Sequence, residues 1–187
     1  ATGRYRVVMT RRKDIFLPLR KRVDLARKAD GDLFISLHAN THPSGRIRGA
    51  SVYTLSETSS DKEAAQLAAK ENKSDVIAGV DLAATTGTVS KILIDLAQRE
   101  TMNESKHFAN TLVDELGQSV KLLNNTHRFA GFAVLKAPDV PSVLFEIGYM
   151  SNRREEQQLL TASHRDRVNR EMVDAIDGFF EWREARR

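Results

Sequence analysis

Leu33 to Leu37 (LFISL) is a nearly continuous apolar run of strand length, and it ends in His38-Ala39-Asn40. A run without polar alternation is expected of a strand buried on both faces, as in a parallel or mixed sheet with helices on each side. The flanking segments switch between strand-length runs and helical periodicity. Arg6–Thr10 (RVVMT) predicts a strand. Pro18 then suits the first turn of a helix whose Leu19, Val23, Ala26 and Ala29 recur at helical spacing up to Asp30-Gly31. Gly49–Leu55 (GASVYTL), Phe132–Lys136 and Ser142–Tyr149 (SVLFEIGY) predict further strands, the last two separated by a Pro138–Pro141 turn. Ile92–Val120 predicts a mainly helical stretch with Phe108, Leu112, Leu116 and Val120 on one face. The chain ends in a predicted helix with Val168, Met172, Ile176 and Phe180 at four-residue steps.

Strands alternating with helices indicate an α/β domain rather than a sandwich or a bundle. The 187 residues suffice for one compact domain with a substantial core, so residues 1–187 are expected to form a single domain. Residues 56–88 are the best candidate for an insertion. Within them Ser60-x-x-Glu63 has the spacing of a capping box, and Ala64, Leu67, Ala68 and Glu71 fall along one helical stripe. The Gly79 region and Ala83–Gly87 read as loose connection.

Composition narrows the function classes. Hydrophobic residues make up 41% and charged residues 29%, the usual balance of a soluble globular protein. No apolar run approaches the ~20 residues of a membrane-spanning helix, so no transmembrane segment is expected. A net charge of +4 and a pI near 9.5 favour an anionic partner only weakly, because Asp and Glu are interspersed with the cations. The basic first 28 residues carry no aromatic ladder, so a solvated surface is expected rather than nucleic-acid binding. The absence of cysteine excludes disulfides, thiolate metal sites and cysteine nucleophiles. The chain also begins without a signal-sequence pattern, from which such a segment is expected to have been removed or to lie outside this sequence.

Glu146 is the most informative single residue. It interrupts an apolar strand between Phe145 and Ile147, where an ionised carboxylate is costly to bury unless it is paired or functional. It reads either as an edge or salt-bridged residue, or as a general acid/base with an adjusted pKa. His38 stands at the carboxyl end of a buried strand, where ligand and metal sites of α/β sheets gather, although a lone histidine is a weak signal. His42 and His127 fall in loops, and His107 and His164 in helical stretches where a surface role is expected. No His-Glu-x-x-His helix, P-loop or Gly-x-Ser-x-Gly elbow is present.

Four motifs occur in order: Val8-x-Thr10-Arg11, Pro18-Leu19-x-x-Arg22, Asp32 through Asn40 (DLFISLHAN), and Pro141-Ser142-Val143-Leu144-x-Glu146-x-Gly148-Tyr149-Met150-Ser151-Asn152. This series resembles the catalytic domain of the zinc-dependent N-acetylmuramoyl-L-alanine amidases (amidase type 3), particularly those of Gram-negative cell division. The similarity spans essentially the whole chain and extends through Gly131–Pro141 (GFAVLKAPDVP).

The resemblance implies a mixed, mostly parallel sheet flanked by helices, with one catalytic Zn2+ held by two histidines and a glutamate. His38 matches the second zinc histidine and Glu146 the catalytic glutamate. The family's first zinc histidine and its zinc glutamate match positions upstream of Ala1, so the domain is expected to lack its first strand and helix here. Three protein ligands leave a coordination position for water, whose pKa zinc lowers. Glu146 would take a proton from that water and deliver it to the departing L-alanine amine.

Residues 56–88 resemble the autoinhibitory helical insertion of division-associated members, in which a glutamate caps the zinc. Glu71 is the candidate for that inhibitory role because it continues the apolar stripe, with Glu63 next; an ordinary solvated glutamate is the alternative. The implied substrate is peptidoglycan, the implied partner a periplasmic LytM-type activator protein, and the implied compartment the periplasm. The competing readings are a non-catalytic peptidoglycan-binding or regulatory module of the same fold and, on pI alone, a nucleic-acid-binding domain.

Overall fold

Helices and strands alternate along the described residues of a computed structural model, 3–77 and 91–186. The order is α1 (Leu19–Lys28), β1 (Phe34–Asn40), β2 (Ala50–Leu55), α2 (Lys62–Ile77), α3 (Lys91–Ser119), β3 (Leu122–Ala130), a 3-10 turn (Ala133–Leu135), β4 (Ser142–Tyr149), α4 (Arg153–Leu160) and α5 (Ala162–Glu184). The strands lie in the order β1-β4-β2-β3. β1 is parallel to β4 and β2 is parallel to β3, whereas β2 and β4 run antiparallel. The sheet is therefore mixed and mostly parallel, as the sequence implies.

Side-chain alternation divides the core into two layers. Val52, Val143 and Phe145 pack against Phe108, Leu112 and Leu116 of α3 and Val168, Ala175 and Phe179 of α5. Tyr53 and Leu144 face the other way, onto Leu19 of α1, Ala64, Leu67 and Ala68 of α2, and Phe132, Val134 and Leu135 around the 3-10 turn. Each fully buried Leu or Phe stabilises the fold by about 1.5–3 kcal/mol. Glu146 follows Leu144 by two residues, so its side chain emerges on the α1/α2 face.

Local caps come from distant residues. Pro18 at the N-cap of α1 has no side-chain acceptor to offer; the buried Asp75 of α2 takes the Leu19 amide instead, at 2.9 and 3.2 Å. Gly49, just before β2, has φ +122°, and a Cβ there would stand 2.6 Å from the Leu122 carbonyl carbon. Only glycine fits so close an approach of two backbones. Its amide donates to Glu155 at 2.7 Å.

Several sequence expectations are corrected. Arg6–Thr10 forms no strand; it joins no ladder among the described residues, and Val7, Val8 and Met9 are exposed. β1 is not buried on both faces: Leu37 is 56% exposed on it, and among the described residues the strand pairs with β4 alone. The capping box is not formed: the cap lies one residue later, opposite Ala64, which has no polar side chain to reciprocate, and Glu63 pairs with Arg128 instead. Asp61, not Ser60, accepts from the Ala64 amide at 2.9 Å, while Ser60 Oγ donates to Asp61.

Phe132–Lys136 is not a strand but contains the 3-10 turn. Its apolar residues pack beneath α1 and α2, and a short apolar run does not distinguish that role from a strand. β3 had no sequence signal because Asn124 and Asn125 interrupt it and, among the described residues, it pairs with β2 alone. Ala83–Gly87, the Gly79 region and the last part of the 56–88 insertion lie outside the described residues.

Candidate functional site

Glu146 is flanked on both sides in the sheet, opposite His38 on β1 and opposite Ser51 on β2. Placed on an inner strand, it is 1% exposed, and its Oε2 has no hydrogen-bond partner among the described residues. Burial raises its carboxyl from the ordinary glutamate range to about 7, with the nearby Glu71 charge adding to the rise and His38 and Lys70 opposing it.

The stripe of small and apolar residues on α2 seats that helix against this face of the sheet. Ala64, Leu67 and Ala68 are buried, and Glu71 follows them on the same stripe. Its Oε2 reaches 3.2 Å from His38 Nδ1, with both side chains about four-fifths buried, at 19% and 20% exposure. The other ring nitrogen of His38, Nε2, lies 3.0 Å from Ser36 Oγ. The hydrogen bond to His38 is the main cause holding the Glu71 carboxyl below its ordinary range, with Lys70 and Arg22 contributing.

One ligand atom each from His38, Glu71 and Glu146 fall within 4.8 Å of one another. The structure thus brings together all three residues singled out from the sequence. A neutral imidazole nitrogen and two carboxylates are a donor set suited to a divalent cation such as zinc. The unpartnered buried oxygen of Glu146 points the same way, because a carboxylate so placed needs a compensating charge or proton.

Other candidates are placed elsewhere. Glu63 pairs with Arg128 at 2.8 Å rather than with His38. His42 Nδ1 accepts from the Ser44 amide at 2.9 Å, and His127 lies between Thr54 and Asn110. His107 stacks on Trp182 with ring centroids 3.8 Å apart. His164 is buried, contrary to the surface role expected of it.

Residues that sequence reasoning missed fasten α2 over the site. Arg128, itself buried, binds Asp61 at 2.9 Å as well as Glu63. Lys70 Nζ donates to Thr41 Oγ1 at 3.0 Å and to Asn40 Oδ1 at 3.4 Å. Asn72 donates to the Gly131 carbonyl and accepts from the Ala133 amide, both at 2.8 Å. Adjacency to Glu71 could have marked Lys70, but Arg128 sits on a strand that the sequence pattern did not reveal.

Comparison with known proteins gives a consistent result. A family described as N-acetylmuramoyl-L-alanine amidase matches residues 1–178. The chain is 40% identical to the N-acetylmuramoyl-L-alanine amidase AmiC of Escherichia coli O6:H1 over 179 residues, covering 95% of this chain and 43% of that protein. It is 33% identical to AmiA of Salmonella typhimurium over 175 residues, covering 93% of this chain and 61% of that protein. The chain therefore spans roughly half the length of these relatives. In fold it resembles the catalytic domain of CwlV, an amidase from Bacillus (Paenibacillus) polymyxa, with a TM-score of 0.59, 24% identity, and coverage of 94% of this chain and 73% of that one. Because the family match runs through nearly every element that builds the site, this chain belongs to the N-acetylmuramoyl-L-alanine amidase family.

Proposed function

We propose that the intact protein is a peptidoglycan hydrolase that cuts the amide between N-acetylmuramic acid and the L-alanine of the stem peptide. The observation that carries this reading is the convergence of His38, Glu71 and Glu146 within 4.8 Å at one edge of the sheet, in a chain of this family. His38 is one zinc ligand. Glu71 is an inhibitory ligand brought by α2. Zinc, when bound, supplies Lewis acidity to the attacking water and to the scissile carbonyl.

Glu146 is the general acid/base. Buried on an inner strand with a pKa near 7, it takes a proton from the attacking water and returns it to the amine of the departing L-alanine. A carboxyl that titrates near neutrality serves both steps, since it is neither too weak a base nor too weak an acid. Ser36 orients the His38 ring through its contact with Nε2.

The α2 segment is an autoinhibitory element that seats Glu71 beside His38, where it can occupy the position that water or substrate needs on zinc. A closed state favoured by ~2.7 kcal/mol leaves about 1% of molecules open, so basal activity is low and activation remains accessible. A periplasmic LytM-type activator that binds the open state better releases it. By its likeness to division-associated amidases, the enzyme acts in the periplasm during daughter-cell separation.

The test is to incubate purified sacculi with the zinc-loaded intact protein, with and without the activator, and to identify released fragments by mass spectrometry. Free stem peptides beginning in L-alanine support the reading. Fragments cut at any other bond, or none with the activator present, overturn it.

A further inference from the structure

The ladder between β2 and β4 ends at Glu146. Its rungs are Tyr53 with Leu144, Val52 with Phe145 and Ser51 with Glu146. Two residues further, the same register would set Gly49 against Gly148, and there a side chain joins the two strands instead. Glu155, in the first turn of α4, is buried, and its carboxylate bridges them. Oε1 accepts from the Gly49 amide at 2.7 Å and Oε2 from the Tyr149 amide at 2.8 Å.

The backbone is shaped around that carboxylate. Gly148 has φ +152°, and a Cβ there would stand 3.2 Å from Glu155 Oε2. At the same point β4 is bulged against β1: the two steps from His38 to Asn40 are matched by three from Glu146 to Tyr149. A bulge next to a site re-aims the side chain beside it and interrupts the pairing of the backbone. The Tyr149 amide finds its partner in Glu155 rather than in a strand.

Glu155 is itself anchored. Its amide donates to Asn152 Oδ1 at 3.2 Å, and Asn152 Nδ2 donates to the Gly45 carbonyl at 2.7 Å. Burial pushes its carboxyl up from the ordinary glutamate range, and the Tyr149 and Gly49 amides, with the charges of Arg48 and Lys121, oppose that rise. An enclosed carboxylate is held in place by such bonds, so the two amides fix its position and it fixes theirs.

We propose that Glu155 is a positioning residue for the amide cleavage: by tying Gly49 to Tyr149 it fixes the bulge that aims Glu146 at His38. The assignment rests on the amidase reading above. The partners of the Glu155 carboxylate lie at the entry to β2 and on β4, not on α2, so the hold persists when α2 lifts.

The experiment compares the zinc-loaded intact protein with its Glu155→Gln variant on soluble peptidoglycan fragments, with the activator present. Gln matches Glu in length, but its amino group meets a backbone N–H, and one of the two bonds is lost. Zinc content should be unchanged and KM should stay within about twofold, while kcat falls by about 10- to 100-fold, the cost of a small misplacement of a reacting group. In the Glu146→Gln background the same change should lower residual turnover by less than about twofold, because no base is left to aim. An unchanged kcat, an effect on KM alone, or an equal fall with and without Glu146 would overturn the assignment. If Glu155→Gln does not fold, Glu155→Asp carries the same test, since it keeps the charge but is one methylene too short to hold both amides. A crystal structure of the variant is scored apart from turnover. A Glu146 carboxylate shifted relative to His38 is expected, and one left in place sinks the positioning role alone. An intact parent protein that releases no stem peptide sinks the amidase reading, and the crystallographic shift still decides whether Glu155 aims Glu146.

Discussion

Glu71 Oε2 stands 3.2 Å from His38 Nδ1, which joins a helix to the edge strand of the sheet at the site itself. The contact is made by a residue four-fifths buried at the end of an apolar stripe, not by a long side chain reaching in from solvent. It therefore depends on the seating of α2 as a whole.

If α2 is inhibitory, Glu71→Ala weakens the closed state by about the 1.5–3 kcal/mol of a hydrogen bond to a charged group. Basal hydrolysis of dye-labelled sacculi without activator should rise roughly tenfold or more. A variant that folds, keeps its zinc and stays as quiet as the parent would return Glu71 to a purely structural role.

His38 and Glu146 should separate metal binding from chemistry. His38→Ala is expected to abolish stoichiometric zinc, measured by mass spectrometry of the metal content. Glu146→Gln keeps the shape and removes the base, so zinc should remain while turnover falls by roughly 100- to 10,000-fold. Full zinc in the first variant, or near-normal turnover in the second, contradicts the assignment concerned.

Arg128 and Asp61 make a pair whose contribution depends on acid. The hydrogen bond from Arg128 holds the Asp61 carboxyl well below the usual carboxylate range, despite partial burial. A folded-state pKa lowered in this way stabilises the protein above the unfolded value, ~3.9, and that stabilisation is lost as the pH falls through the folded value. Asp61→Asn retains an N-cap for α2 but not the charge. Denaturant titration at neutral pH should show a loss of about 1.5–3 kcal/mol, since the buried Arg128 loses one of its two carboxylate partners among the described residues and keeps Glu63. The gap between variant and parent should narrow below pH ~4. A gap independent of pH would mean that the pair adds nothing electrostatic.

Gly49→Ala should be among the most damaging single changes outside the cluster. The positive φ alone costs about 1–3 kcal/mol for a residue with a Cβ. The Leu122 backbone at 2.6 Å leaves no room for relaxation without separating β2 from β3. A melting temperature within a few degrees of the parent would refute this.

The residues that were legible in the sequence are those whose environment is local or periodic. β4 is bounded by a proline turn and carries one carboxylate in an apolar run, so both the strand and the exceptional character of Glu146 could be read. The stripe on α2 predicted correctly that Glu71 faces inward. Arg128, Asn72 and Asp75 were not legible, because each takes its partner from a segment remote in sequence: Asp61, Gly131 and Leu19. β1 misled for a related reason. Its composition suits an inner strand, but burial is set by neighbours, and on one side it has none among the described residues.

The polar contacts of α2 are spread along its length, from Asp61 through Glu63, Lys70, Glu71 and Asn72 to Asp75. At about 1.5 Å of rise per residue they are distributed over about 21 Å. Such a fastening behaves like a zipper. Lifted broadside, it must lose every contact together, whereas peeled from one end it loses them one after another, each at the cost of a single rung. A partner that grips an end of α2 therefore meets a series of small barriers instead of one large one. Hydrogen exchange along the helix would register this as protection graded from one end to the other, while release as a block would give one common exchange rate.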